Sequence, residues 1–238
     1  MSSLAFGASK YLISVYPENP PFLYNDNGKP AGMYLDIVLA VFGAMDQPVE
    51  VQIHPFRRAL QMAYDGKSIV AGILKTSERL KYLEYSDPIY QEDMVVFSVM
   101  NHPKYYQVVE DMKGRTFGVI LGWSYGEVVD KARDSLLFNT VDGTLTANIL
   151  ATDQGTVDGF LHSRLSGLYQ LQVSGMSDRI RVVSDPISKV GIFIAAKKGK
   201  YSDILHDFND TLTLLKGNGT LDKIIQQYST FPLSDTAR

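Results

Sequence analysis

The chain contains no cysteine, and only one of its 238 residues is tryptophan. Without cysteine there is no disulfide, no thiolate nucleophile and no thiolate metal ligand, although the compartment stays open because cysteine-free chains occur everywhere. Positive charge is scarce too. With 23 Lys and Arg against 26 Asp and Glu the formal net charge is −3, which gives no reason to expect nucleic acid, whose binders are basic on one face. No apolar run approaches the ~18 residues of a membrane span; the best candidate, Met33 to Met45, contains Asp36 and repeats at helical spacing. A Gly-x-x-x-x-Gly-Lys phosphate loop and a His-Glu-x-x-His metal motif are both missing. His54, His102, His162 and His206 show no metal-ligand spacing either.

What is present reads as an ordinary globular chain. Apolar content of 45% and charge of 21% fit that class, and the length suggests one large domain or two modest ones. The first ten residues hold neither a basic n-region nor a long apolar h-region, so no intact signal peptide is expected there. Ala5-Phe6-Gly7-Ala8 is equally compatible with the remnant of a small-residue cleavage site and with an ordinary N-terminal tail.

The periodicities describe an α/β chain. Strand patterns fall at Tyr11–Tyr16, Val49–Ile53, Ile69–Leu74, Met94–Val99, Thr116–Leu121, Val157–Leu161, Arg181–Val183 and Val190–Ala196. Helical spacing links Leu35, Val38, Leu39 and Phe42; Phe56, Leu60 and Ala63; Leu145, Ile149 and Leu150; and Leu165 to Leu171. Two closing helices run through Leu205, Phe208, Leu212 and Leu215, then Leu221, Ile224, Ile225 and Tyr228, separated by Gly217-Asn218-Gly219. Asn25-Asp26-Asn27-Gly28 is a turn. Ser124 and Glu127 have capping-box spacing, which predicts a helix there with Val128, Val129, Ala132 and Leu136 on its buried face.

The most informative stretch is Ala71 to Tyr90, AGILKTSERLKYLEYSDPIY. An apolar strand is interrupted by Gly72, where the backbone must lie bare to something. Thr76 follows as a helix N-cap with Arg79 in the first turn. Such an N-terminus suits an anion, and the arginine adds a planar two-pronged donor matched to a carboxylate.

Ala71-Gly72, Thr76-Ser77-Glu78-Arg79 and Tyr85-Ser86-Asp87-Pro88-Ile89-Tyr90 together resemble the signature of the polar amino-acid (family three) solute-binding proteins of bacterial ABC uptake systems. The likeness continues through Pro20-Pro21-Phe22, Asn27-Gly28-Lys29, Lys113 to Val119, Gly155 with Val157-Asp158, Gly191-Ile192 and Asn218 to Ile224. Each piece alone is weak; their order and spacing carry the resemblance.

The resemblance implies an α/β two-lobe periplasmic-binding-protein (flytrap) fold, type II-like, with two crossover hinge strands. Residues 1–96 plus 191–238 would form lobe one and 101–186 lobe two, with 97–100 and 187–190 as the hinge. It implies a monomer outside the cytoplasm, in the periplasm, that takes a small-molecule carboxylate ligand between its lobes and hands it to an ABC transporter permease. No cofactor, metal, nucleic acid or membrane span is implied, and no enzyme.

Residue by residue, the resemblance makes Arg79 the clamp on the ligand carboxylate. Leu74 stands where a backbone N–H also serves, and Gly72 lies in the same segment. Ser124 would touch that carboxylate from lobe two, beside its role in helix capping. Tyr16 and Phe56 fall where the family presents packing side chains, and Trp123 could wall the pocket beside Ser124. In one branch of the family the matching stretch is Pro-Trp/Phe-x-Arg-Ala, which makes Arg58 rather than Arg57 the candidate to face the ligand. Ser163 is the departure. Relatives that bind α-amino acids carry there a carboxylate that pairs with the ligand ammonium. A hydroxyl cannot neutralise a buried ammonium, whose uncompensated burial costs several kcal/mol. Either Glu18, Glu92 or Asp93 substitutes, or the ligand lacks an α-ammonium; the sequence leans towards an anionic or amine-poor acid.

Two other classes are weighed. Gly122-Trp123-Ser124-Tyr125-Gly126 matches the Gly-x-Ser-x-Gly hydrolase elbow, yet occupies the place where the binding family puts its own contact. Some relatives of the fold are dehydratases with an acid in the cleft, and no such acid can be assigned. A sensor built on the same flytrap, from a membrane signalling protein, is the main non-enzyme alternative.

Overall fold

In the computed structural model residues 10–229 are described, so the Ala5-Phe6-Gly7-Ala8 tail lies outside them, as does the side chain of Glu18. The chain forms two compact units, one comprising residues up to Tyr90 together with Ile192–Tyr228, the other Gln91–Gly191.

The first unit begins with β1 (Tyr11–Val15), β2 (Glu18–Asn19), β3 (Leu23–Asp26), β4 (Lys29–Ala31) and α1 (Met33–Ala44). It continues through β5 (Val49–Ile53), α2 (Phe56–Tyr64), β6 (Ile69–Ile73) and β7 (Leu83–Tyr85). The chain crosses at the start of β8 (Tyr90–Val99) into β9 (Thr116–Ile120), α3 (Glu127–Asp134), β10 (Asn139–Gly143) and α4 (Leu145–Asp153). Then come β11 (Gly159–Ser163), α5 (Arg164–Val173) and β12 (Ile180–Val182). It returns within β13 (Ser188–Lys197) and ends in α6 (Ser202–Gly217) and α7 (Thr220–Ser229).

In the first unit β5, β1 and β6 are parallel, and β13 pairs antiparallel with β6 on one side and with β7 on the other. Strand β6, Ile-Val-Ala-Gly-Ile, is apolar and buried throughout, as a strand covered on both faces is. Helix α2 lays Ala59 and Ala63 against Val70, Ile73, Leu83 and Ala195. Helix α1 meets α6 through Phe42 and Phe208, with ring centres 5.5 Å apart. The chain before α1 passes so close that a Cβ on Gly32 would stand 2.3 Å from the Phe22 carbonyl oxygen at φ 124°, which only glycine tolerates. The predicted turn is the two-residue loop of the β3–β4 hairpin, with Asn27 and Gly28 at φ 51° and 89°.

Helix α7 is tied to α1 by Tyr228, whose hydroxyl donates to Asp36 Oδ2 at 2.5 Å. Both side chains are half-buried, so the charge-assisted bond is worth about 1 kcal/mol, below the fully buried range. Tyr228→Phe should lower the unfolding free energy by that amount, read as a lower urea midpoint with an unchanged slope.

In the second unit β10, β9 and β11 are parallel, and β8 runs antiparallel to β11 and β12. Its core holds Val95, Phe97, Ile149, Phe160, Leu171 and Ile180, with the Phe97 and Phe160 rings stacked at 4.8 Å. One expectation in this unit needs correction. Only Val129 and Ala132 of the expected α3 face are buried; Val128 is exposed, and Leu136 lies beyond the helix at 81% exposure. Strand β10 has no sequence signal, because as an edge strand its side chains are mostly exposed and do not alternate.

Candidate functional site

Parallel strands end together, and in open α/β sheets ligands bind outside their carboxyl ends. In the first unit β1 delivers Tyr16 to that edge, β5 leads into Phe56 at the start of α2, and β6 leads into Leu74 and Arg79. The side chains connect. The Arg79 guanidinium carbon lies 5.3 Å from the Phe56 ring centre, and that ring meets the Tyr16 ring edge-on at 4.9 Å. The Tyr16 hydroxyl donates to the Gly72 carbonyl. Arg79 Nη1 donates to the Leu74 carbonyl at 3.0 Å, towards which the Tyr85 hydroxyl also points at 3.5 Å. Burial, opposed in part by Arg79, pushes the Tyr85 phenol up to about 12, so it stays a donor. Five of the nine site residues read from sequence, Tyr16, Phe56, Gly72, Leu74 and Arg79, thus form one cluster. Arg58 stands exposed in the first turn of α2.

Thr76 caps as expected, its hydroxyl accepting the Arg79 N–H at 3.2 Å. The element it starts is a single 3-10 turn, Arg79–Lys81, rather than an α-helix. One short turn sums few peptide dipoles, so the positive charge at this edge comes from Arg79 itself. Gly72 sits at φ 79°, and a Cβ there would be 2.6 Å from Leu23 Cδ1. Its backbone lies bare to Leu23 and Tyr34 of the same unit.

In the second unit the loop after β9 carries Trp123 and Ser124. The Ser124–Glu127 capping box does not form. The residue before α3 is Gly126 at φ 95°, and Glu127 pairs with Lys131 instead. Asp130, one turn into α3, gathers the loop: it accepts from the Ser124 hydroxyl and from the Tyr125 N–H at 3.0 Å. Arg133 lies 3.5 Å from Asp130 and donates to the Trp123 carbonyl at 3.2 Å. Sequence spacing gave no sign of Asp130, because a carboxylate six residues past a serine matches no capping pattern. Tyr85, part of the family-like Tyr-Ser-Asp-Pro run, had such a signal and was not singled out.

Trp123 stacks on His162 at 5.5 Å and 25°. Burial of that imidazole pushes its pKa down to about 3, so it is neutral, with Nε2 3.1 Å from the Ser166 hydroxyl. The Gly-x-Ser-x-Gly elbow therefore has its serine bonded to an aspartate, and no described histidine is bonded to it. Ser163 closes β11 opposite Met94 and precedes α5 without capping it; its hydroxyl is buried and has no partner among the described residues. Asp93 lies 3.9 Å from Arg164 and 4.0 Å from Lys189, and Glu92 is 4% exposed.

Among the described residues no group of three or more His, Asp or Glu could hold a metal ion, and no helix is long and apolar enough to cross a membrane.

Residues 11–231 match the family model "Bacterial extracellular solute-binding proteins, family 3". The chain is 25% identical over 217 residues to YxeM of Bacillus subtilis, described as a probable amino-acid-binding protein, covering 87% of this chain and 79% of that one. It is 24% identical over 230 residues to the arginine-binding extracellular protein ArtP of the same organism, covering 94% and 88%. Among solved structures, a histidine kinase sensor domain with similarity to periplasmic binding proteins superposes with a TM-score of 0.79 at 18% identity, covering 92% of this chain and 95% of that one. The fold is thus the two-lobe flytrap, and with nearly its whole length matched the chain belongs to the bacterial extracellular solute-binding proteins of family 3.

Proposed function

We propose that the protein captures a small carboxylate-bearing ligand, an amino acid or an amine-poor organic acid, between its two lobes and delivers it to an ABC transporter permease. The observation that carries this reading is Arg79. Its guanidinium is fixed by the Leu74 carbonyl and the Phe56 ring at the carboxyl ends of three parallel strands. Held so, it loses little further freedom on gripping a carboxylate, and each charge-assisted bond contributes ~1.5–3 kcal/mol. Tyr16 and Phe56 supply apolar contact and Leu74 a backbone N–H, while Gly72 holds the Tyr16 hydroxyl in place. On the second lobe Trp123, Ser124 and Ser163 meet the ligand, and Arg58 adds positive charge at the rim. The protein acts as a monomer outside the cytoplasm, in the periplasm. Differential contacts favour the closed form, with the crossing segments in β8 and β13 serving as the hinge.

Solution scattering on the purified chain, with and without a panel of amino and organic acids, tests this. At least one acid should reduce the radius of gyration; no compaction with any of them would remove the reading.

The likeness to a histidine kinase sensor domain favours a second reading, a ligand-sensing flytrap of a membrane signalling protein. Ligand capture is common to both. The genomic neighbours, permease or kinase, separate them.

A further inference from the structure

We propose that Lys75 is a second anion anchor beside Arg79, so that the captured acid carries two anionic groups, as a dicarboxylate does. This rests on the carboxylate capture proposed above and names the class of ligand.

Lys75 follows Leu74 at the carboxyl end of β6, the edge where the Arg79 cluster stands. Its side chain is exposed, and two rings set its direction. Nζ lies 4.1 Å from the Phe193 ring centre and 5.4 Å from that of Tyr85, and these two rings meet edge-on at 5.8 Å. The ladders explain the grouping. Phe193 stands opposite Ile73, and Ala195 opposite Tyr85, so along β13 both partners rise from one face. Helix α2 covers that face with Ala59 and Ala63, and its first residue is Phe56, on which Arg79 rests. Tyr85 joins the two cations. Its ring lies under Lys75, and its hydroxyl points at the Leu74 carbonyl that Arg79 grips.

Both cations are held by neutral groups. Rings and a carbonyl fix where they sit and leave their charges uncancelled. Among the described residues neither Lys75 nor Arg79 is in an ion pair, and nor is Arg58. Tyr85 reports the same balance: burial raises its phenol, Arg79 lowers it, Tyr64 raises it, and no carboxylate contributes. A cation in water needs no partner, but an ammonium enclosed without one costs several kcal/mol. The Arg79 fork takes one carboxylate. A second acidic group on the same molecule is what neutralises Lys75 when the cleft closes. Because an ammonium is a point charge on a flexible stem, this end accepts acids of more than one length.

Titration calorimetry on the purified full chain tests this with the standard L-amino acids, succinate, glutarate and the monoamides of the two diacids. An amide keeps the size and removes one charge, so glutamate is read against glutamine and succinate against its monoamide. The tightest binder should carry two acidic groups and bind at least ~10-fold tighter than its amide. Lys75→Met should weaken that diacid on the order of 10–100-fold and leave the amide within a few-fold. Lys75→Arg should keep most of the preference. Should Lys75→Met unfold through loss of its contact with Phe193, the wild-type ratio and Lys75→Arg decide. A tightest binder with a single carboxylate and no other anionic group overturns the inference and leaves capture by Arg79 standing. Equal losses of diacid and amide in Lys75→Met also overturn it, since Lys75 would then serve packing alone. If no acid binds, the capture reading falls and this inference with it.

Discussion

Replacing Arg79 by methionine should weaken ligand binding by about 10²–10⁴-fold, the loss of two charge-assisted bonds. Methionine keeps much of the apolar stem against Phe56, so the change falls on the charged fork and less on packing. The Leu74 carbonyl, which accepts from Nη1 at 3.0 Å, keeps Tyr85 at 3.5 Å and a path to water. The unliganded variant should therefore unfold within about 1 kcal/mol of wild type, as is usual away from the core. Arg79→Lys separates charge from geometry. A lysine restores a cation without the planar pair of donors, and it should recover only part of the affinity. Calorimetric titration with the best-bound acid measures all three proteins. Full affinity in the methionine variant would remove the clamp from the proposed site.

The second large effect concerns acid. His162 is buried and neutral, with its pKa lowered from 6.5 to about 3 by loss of hydration. Between those values the unfolded chain takes up a proton that the folded form refuses. Stability is therefore fully present above pH 6.5 and falls as the pH drops through this window, by up to roughly 5 kcal/mol near pH 3. Below that the imidazole contributes no further slope. His162→Phe keeps a ring against Trp123 and removes the titration, so its unfolding free energy should change less between pH 6 and pH 4. Urea titrations at half-unit steps, followed by tryptophan fluorescence, read this out. Trp123 is the only tryptophan and stacks on the imidazole, so the signal reports the second unit. Equal acid slopes in the two proteins would show that His162 does not control the window.

Much of the fold was legible because the periodicities are strong. The strand before Arg79, the amphipathic spacing of α2 and α6, and the glycine stops at Gly66 and Gly217–Gly219 all appear in the sequence as written. The lobe-one residues were legible through the family resemblance, and the strand ends that β1, β5 and β6 share explain why Tyr16, Phe56, Leu74 and Arg79 gather at one edge. What escaped has physical causes. Edge strand β10 carries Asn139, Thr140 and Asp142, which no alternation betrays. Ser124 satisfied a local capping pattern, yet Asp130 competed for its hydroxyl with a stronger, charged acceptor. Glu92, named from the sequence as one acid that could stand in at the Ser163 position, is 4% exposed, a burial that the polar run Tyr-Gln-Glu-Asp-Met does not betray.

The Asp130 carboxylate has one more effect. The Ser124 hydroxyl already points its proton at an anion of the same chain, so an arriving carboxylate can take that proton only by substitution. Trading one carboxylate acceptor for another is nearly thermoneutral, which leaves this loop a weak attractor however well it is shaped. The grip on the carboxylate itself is then set on the arginine side, while the serine loop fixes the angle at which the guest lies.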